Sequence, residues 1–198
     1  MCMEKTPWER VREFHGHVCP GLAQGFRATE LALQKLGTER SVDEELVAIV
    51  ENDACGTDAV QILTGCTFGK GNLFFLDHGK QVYTIASRDK EQAVRIAVRY
   101  GAFHNPELGR LRELVNKGEA TEEQKKEFSV LQQLHIKNIL ESGEDCFDIS
   151  FVKADIPPRA SIHRSLRCEN CGEAVMETRT MDVGGKKVCI PCSKKQSD

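Results

Sequence analysis

Cys168 and Cys171 form one CxxC pair and Cys189 and Cys192 another, with seventeen residues between the two. That is the ligand spacing of a zinc ribbon. Each pair places two thiolates at the tip of a tight turn. Two such knuckles close a tetrahedral four-sulfur cage that suits Zn²⁺ and leaves no coordination position open. A closed cage holds a fold together and does not catalyse. A pair of disulfides is the competing reading of the same four residues. The segments 177–183 and 186–189 can form a short hairpin turned by Gly184 and Gly185.

A second set of chemical side chains lies near the other end. His15, His17 and Cys19 put three borderline or soft metal ligands within five residues. Pro20 biases Cys19 toward an extended conformation. Alternate residues of an extended segment point the same way, so His17 and Cys19 can converge on one ion. Cys19 also precedes a helix start, where the positive end of the dipole favours a thiolate. On the plainer reading one histidine caps a helix and Cys19 is a small buried hydrophobe.

The stretch 52–58 adds Cys55 as another thiolate and Asp58 as a carboxylate that can orient a ligating histidine or act as a base. Asp53 reads more simply as a turn or cap residue. Residues 64–72 bring small residues and Lys70, but lack the spacing and terminal Lys-Ser/Thr of a Walker loop; a plain turn before a strand fits equally well. If His15, His17, Cys19 and Cys55 hold an ion with an open position, Lys70 is expected to stabilise an oxyanion and Asp58 to move a proton. Cys66 tests a thiol-redox or metal-handling alternative, because sharing the cavity would make it reactive and apolar burial would make it packing. His78 sits in a turn that could project it into a site. His104 reads as a turn residue, His135 as part of a helical pattern, Cys146 as packing and Cys2 as a residue near a chain end.

These residues need elements to position them. Thr6, Pro7 and Glu9 have the form of a capping box, so a short helix should bury Trp8, Val11 and Phe14 and end near Gly16. A second helix should run from Pro20 to Gly37, with Leu22, Phe26, Thr29, Leu33 and Leu36 on one face. Residues 46–50 read as a buried strand, 57–63 as a helix, and 72–76 and 81–86 as strands joined by a hairpin-type turn at 77–80. Asp89 is expected to cap a helix with Ala93, Ile96, Ala97 and Tyr100 in one stripe. Residues 107–142 read as a helical hairpin broken near Gly118, its second arm opened by a Thr121–Gln124 capping box, and 145–154 as a returning strand. The paired prolines of 155–160 mark a linker.

The 198 residues therefore suggest an α+β fold, a mixed sheet flanked by helices over 1–155, and a linker with a small zinc ribbon over 156–198. No stretch approaches a membrane span. The first residues lack the apolar run of a secretory signal, and nine cysteines suit ligation and free thiols better than a disulfide framework, so the expected compartment is the cytoplasm. The formal charge of -3 is uneven: from Arg159 onward eight Lys or Arg face five Asp or Glu, about +3, which leaves about -6 on the rest. A regulatory nucleic-acid binder built on the ribbon is an alternative reading, but the basic residues of the tail are scattered, so nucleic acid is not the expected partner.

Three motifs in order, Phe14-His-Gly-His-Val-Cys-Pro-Gly-Leu22, Asp53-Ala-Cys-Gly-Thr-Asp-Ala-Val-Gln61 and Thr64-Gly-Cys-Thr-Phe-Gly-Lys-Gly-Asn72, resemble the formylmethanofuran dehydrogenase FmdE family, whose longer members carry a C-terminal ribbon. The resemblance implies an α+β core that forms a homodimer, a His/Cys-lined cavity with a transition metal, a separate structural zinc domain, and association with a molybdenum or tungsten oxidoreductase. It makes the chain a catalytic or accessory component, with no pterin-binding domain of its own. For the cavity ion Zn²⁺ is the first choice, although imidazole and thiolate together also accept Fe, Ni or Cu.

Overall fold

The computed structural model describes residues 4–153 and 156–195. Cys2 and the expected start of the linker at Asp155 lie outside the described residues. The chain divides into two compact units, Met1–Arg159 and Ala160–Asp198. Among the described residues no helix is long and apolar enough to cross a membrane.

In the first unit Thr6 caps α1 (Pro7–His15) by accepting the Glu9 amide, while the Glu9 carboxylate accepts the Thr6 N–H. The helix stops at Gly16, whose φ of 83° is a conformation glycine adopts without strain. Trp8 packs edge-on against Phe26 with ring centroids 5.0 Å apart, and Val11 is fully buried beside Leu22. Phe14, expected on the buried side, is 55% exposed. The stripe is present, but α1 packs through Trp8 and Val11, and Phe14 in its last turn has no place in that cluster.

Helix α2 (Pro20–Leu36) is the centre of the unit. It buries Leu22, Phe26, Thr29 and Leu36 as expected and also Ala23, Ala28, Leu31 and Ala32, a wider face than one stripe, because α3, α5 and the sheet all pack on it. Each fully buried Leu contributes on the order of 1.5–3 kcal/mol relative to exposure. Strand β1 (Leu46–Val50) leads into α3 (Gly56–Thr64), then β2 (Leu73–Phe75), β3 (Val82–Ser87), β4 (Gln92–Val98), α4 (Pro106–Lys117), α5 (Glu122–Leu140) and β5 (Phe147–Val152). The five strands form one mixed sheet in the order β2-β1-β3-β4-β5. Leu46, Ala48, Val50, Tyr83, Ile85, Val94, Ile96 and Phe147 share the main core with α2, while Val47, Ala86 and Ala93 cluster on the opposite face.

Two expectations about this sheet need correction. Residues 92–98 form a strand, not a helix: Val94 and Ile96 face the main core while Ala93 faces away, and a strand buried on both faces carries no clean alternation to betray it. Asp89 sits in the β3–β4 turn. Strands β2 and β3 are not hairpin partners either. β2 pairs parallel with one edge of β1, and β3 pairs antiparallel with the other. The parallel pair is made possible by the crossover through α3.

The second unit consists of two small antiparallel pairs, β6 (Ser165–Arg167) with β7 (Ala174–Met176) and β8 (Thr180–Val183) with β9 (Lys186–Cys189), followed by α6 (Ile190–Lys194). Gly184 and Gly185 turn the second hairpin with φ of 61° and 80°, the left-handed values that a two-residue turn demands. Its core is Val188 with Cys168, Cys189 and Cys192.

Candidate metal centre

Two helix starts meet because two glycines let them. A Cβ on Gly25 would lie 2.3 Å from the Cα of Gly56, and one on Gly56 would lie 2.1 Å from the Tyr83 hydroxyl oxygen, so α2 and α3 touch backbone to backbone. Cys19, the N-cap of α2, and Cys55, the N-cap of α3, are thereby brought side by side; a Cβ on Gly21 would already touch that of Cys55, at 3.7 Å. Cys19 Sγ accepts the Leu22 amide at 3.4 Å. Burial pushes the Cys55 thiol up, and the neighbouring Cys19 sulfur pushes it further. A cation between the two sulfurs would reverse that preference.

His15 closes α1 at the same place. Its Nδ1 lies 2.7 Å from Asp58 Oδ2, and Asp58 Oδ1 accepts from Gln61 Nε2 at 3.2 Å. An ionised carboxylate can only accept, so the proton belongs on Nδ1 and the lone pair on Nε2. That Nε2 is buried and has no hydrogen-bond partner among the described residues. The His17 ring lies 4.3 Å away, centroid to centroid, and is exposed where the other three residues are half-buried. One ligand atom from each of His15, His17, Cys19 and Cys55 lies within 4.8 Å of the others. Tetrahedral Zn²⁺ with ordinary Zn–N and Zn–S bonds separates its ligands by about 3.3–3.8 Å, so the set needs to contract by only about 1 Å.

Of Asp58's two expected roles, the geometry provides the orienting one, since the oxygen nearest His15 is engaged by that ring. Lys70 is placed elsewhere and needs correction. Its ammonium donates to the carbonyls of Val42 at 3.3 Å and Asp43 at 3.0 Å, ahead of β1, whereas Cys55 follows β1. The five residues of β1 put about 17 Å of strand between the two ends. Lys70 ties down a loop and has no oxyanion to meet at the cluster. Cys66 belongs to that far end too: it is fully buried, its thiol donates to the Leu46 carbonyl, and burial pushes its pKa up. It is core packing. His78 bonds Glu51 at 3.0 Å, and Arg95 joins the same carboxylate.

Sequence reasoning missed Gly25, Gly56, Gln61 and Tyr83, whose hydroxyl donates to Gln81 at 2.9 Å and is pushed up to about 12 by burial. One signal was available. A glycine inside an otherwise strong helix costs about 1 kcal/mol against alanine, so Gly25 marked a close contact.

In the second unit the four sulfurs of Cys168, Cys171, Cys189 and Cys192 also lie within 4.8 Å of one another. Cys171 and Cys189 are 3.9 Å apart, well beyond a disulfide bond of about 2.05 Å, and all four thiols are free. The amides of Cys171 and Cys189 bring the Cys168 thiol down to about 6. For Cys171 the Glu173 amide pulls down, but the Cys168 sulfur and desolvation push harder, and the net shift is upward.

A family model described as "FmdE, Molybdenum formylmethanofuran dehydrogenase operon" matches residues 14–148, and one described as "Prokaryotic dksA/traR C4-type zinc finger" matches residues 163–197. A protein of Archaeoglobus fulgidus named "Probable S-adenosyl-L-methionine-binding protein" is 38% identical over 194 residues, covering 93% of this chain and 51% of that protein. The chain thus spans about half the length of that relative. Among solved structures, a protein of Syntrophus aciditrophicus described as a "tungsten formylmethanofuran dehydrogenase subunit e (fmde)-like protein" matches with a TM-score of 0.62 and 26% identity, over 96% of this chain and 91% of that one.

Proposed function

We propose, from the premise that this chain belongs to the FmdE family, that it is a metal-binding catalytic or accessory component in which His15, His17, Cys19 and Cys55 hold one transition-metal ion, Zn²⁺ foremost. The carrying observation is the His15 imidazole: its Nδ1 is held by Asp58, and its buried Nε2, without a hydrogen-bond partner among the described residues, stands beside two thiols and a second imidazole. A buried lone pair that meets nothing costs about 1–3 kcal/mol, and a ligated ion removes that cost. Cys19 and Cys55 each stand at a helix start, Cys19 Sγ accepting the Leu22 amide, and a cation between them would hold both sulfurs as thiolates.

A Zn²⁺ ion held there supplies a Lewis acid toward a substrate oxygen. The exposed His17 stands on the solvent side of the set, where its departure would free one position. The same exposure supports a second reading, in which the ion is passed on rather than used. The zinc finger of the tail is structural. The family relation also supports a homodimer and a molybdenum or tungsten oxidoreductase as partner, and the free thiols suit the cytoplasm.

Metal analysis of the full chain tests the reading. Two equivalents are expected, one per four-ligand set; His15→Ala removes one, and Asp58→Asn weakens the core site by roughly 10–100-fold while the tail keeps its ion. A single equivalent in the unaltered chain, insensitive to His15→Ala, would end the proposal.

A further inference from the structure

The start of α2 borders a cleft of about 510 Å³. Pro20, next in sequence to Cys19, forms one side of it, and Gln24 follows one helical turn on. The opposite walls come from the loop before α4, from α4 itself and from α5, and they present His104, Arg112 and His135. All three ionisable side chains that line the cleft are basic.

Arg112 is free to bind. Among the described residues it has neither a carboxylate nor a carbonyl partner, in contrast to Arg110, which pairs with Glu107, and Arg99 on the adjoining hollow, which pairs with Asp148. Its helix neighbours three and four positions away are Leu108, Gly109, Val115 and Asn116, and those of His135 are Leu131, Gln132, Asn138 and Ile139; none is acidic. Helix geometry therefore supplies no intrahelical neutralising group. The half-buried Gln24 amide also lacks a partner among the described residues. Arg112 disfavours protonation of His135, as does burial, the larger cause. The cleft thus sets one guanidinium that is unpaired among the described residues, a planar five-donor fork, beside an amide and two imidazoles.

We propose that this cleft is the docking subsite for an oxyanion group, carboxylate or phosphate, on the molecule whose reacting end meets the metal centre. Arg112 is the principal donor, with His104, His135 and Gln24 around it. The proposal rests on the metal-site reading for the identity of the reacting end, but the subsite is built from residues outside the ligand set. An anion seated here neutralises Arg112 and pairs the Gln24 amide in one step, which a hydrated cation or an apolar group cannot do.

The full chain, labelled with ¹⁵N-histidine, is titrated with inorganic phosphate and separately with acetate, in metal-loaded and metal-free forms. Saturable shifts confined to the His104 and His135 rings are expected in both forms, with an affinity that Arg112→Gln lowers roughly tenfold and with the same metal content in that variant. Arg112 and His104 are exposed, so His104→Gln serves as a second variant that keeps the fold. Response to phosphate alone or acetate alone identifies the anion. Absence of a saturable shift with either anion, or an unchanged affinity in Arg112→Gln, overturns the subsite. If binding instead requires the metal and ignores Arg112, the anion sits on the ion, and the subsite falls while the metal reading stands.

Discussion

The tail draws four sulfurs from two knuckles of one small unit, with seventeen residues between the pairs, whereas the helical cluster takes His15, His17 and Cys19 from one junction and Cys55 from another, thirty-six positions beyond Cys19. In the tail the ligands are themselves much of the core: Cys168, Cys189 and Cys192 are buried with Val188. In the larger unit the main core is built without the ligands, Cys19 and Cys55 are half-buried against a smaller cluster around Val11 and Leu22, and one of the four, His17, is exposed. A set that replaces a core is structural, and a set mounted on a finished core is free to take on chemistry.

The comparison can be broken most sharply in the tail. Cys168→Ser should abolish the order of both hairpins, because structural zinc contributes on the order of 10 kcal/mol to such a unit. Hydrogen exchange should show amides of 165–194 unprotected and those of β1, β3 and β4 unchanged. Hairpins that stay protected without zinc would make the tail a finished core too, and the contrast would vanish.

A smaller effect is expected where α2 crosses α3. Gly25→Ala forces a methyl into backbone and should cost about 1–3 kcal/mol of stability, and it should weaken metal binding at Cys19 and Cys55 while the tail's zinc is untouched. Gly109→Ala is the control: its Cβ would enter open space on α4, and a gain of about 0.5–1 kcal/mol is expected in thermal unfolding. Equal outcomes for the two variants would mean that the crossing does not set the site.

The smallest effect concerns acid. Burial opposes ionisation of Glu51, but its bonds to His78 and Arg95 outweigh burial and hold its pKa below the usual carboxylate value. A depressed folded pKa stabilises above the unfolded value, near 4.5, and that stability is lost as pH falls through the folded value. Glu51→Gln should therefore cost roughly 1 kcal/mol at neutral pH and flatten the acid limb of the larger unit. The tail should lose order in acid for a different reason, protonation of its thiolates and release of zinc. An acid limb identical with and without Glu51 would place the sensitivity elsewhere.

Legibility in the sequence followed locality. The capping boxes at Thr6 and Thr121, the reach of α2 from Pro20 to Leu36 and the Gly184–Gly185 hairpin each depend on residues within a few positions of one another, and each is where the pattern placed it. The strand 92–98 and the pairing of β2 with β1 depend on neighbours distant in the chain, and there periodicity misled. The site divides the same way. His15, His17 and Cys19 were visible as a dense local motif, and Cys55 and Asp58 stood out by type. Lys70 was equally conspicuous by type, yet it is carried to the other end of β1 by a turn whose direction no local spacing encodes.

At the contact of Gly25 with Gly56 the gap between the two cap sulfurs is gauged by bare methylene on methylene. No rotamer intervenes, so the larger hydrophobes around α2 can be exchanged for others of like volume and the gauge keeps its setting. Drift in the surrounding interior is thus decoupled from the distance that matters for holding an ion, and these two glycines are the ones that resist replacement.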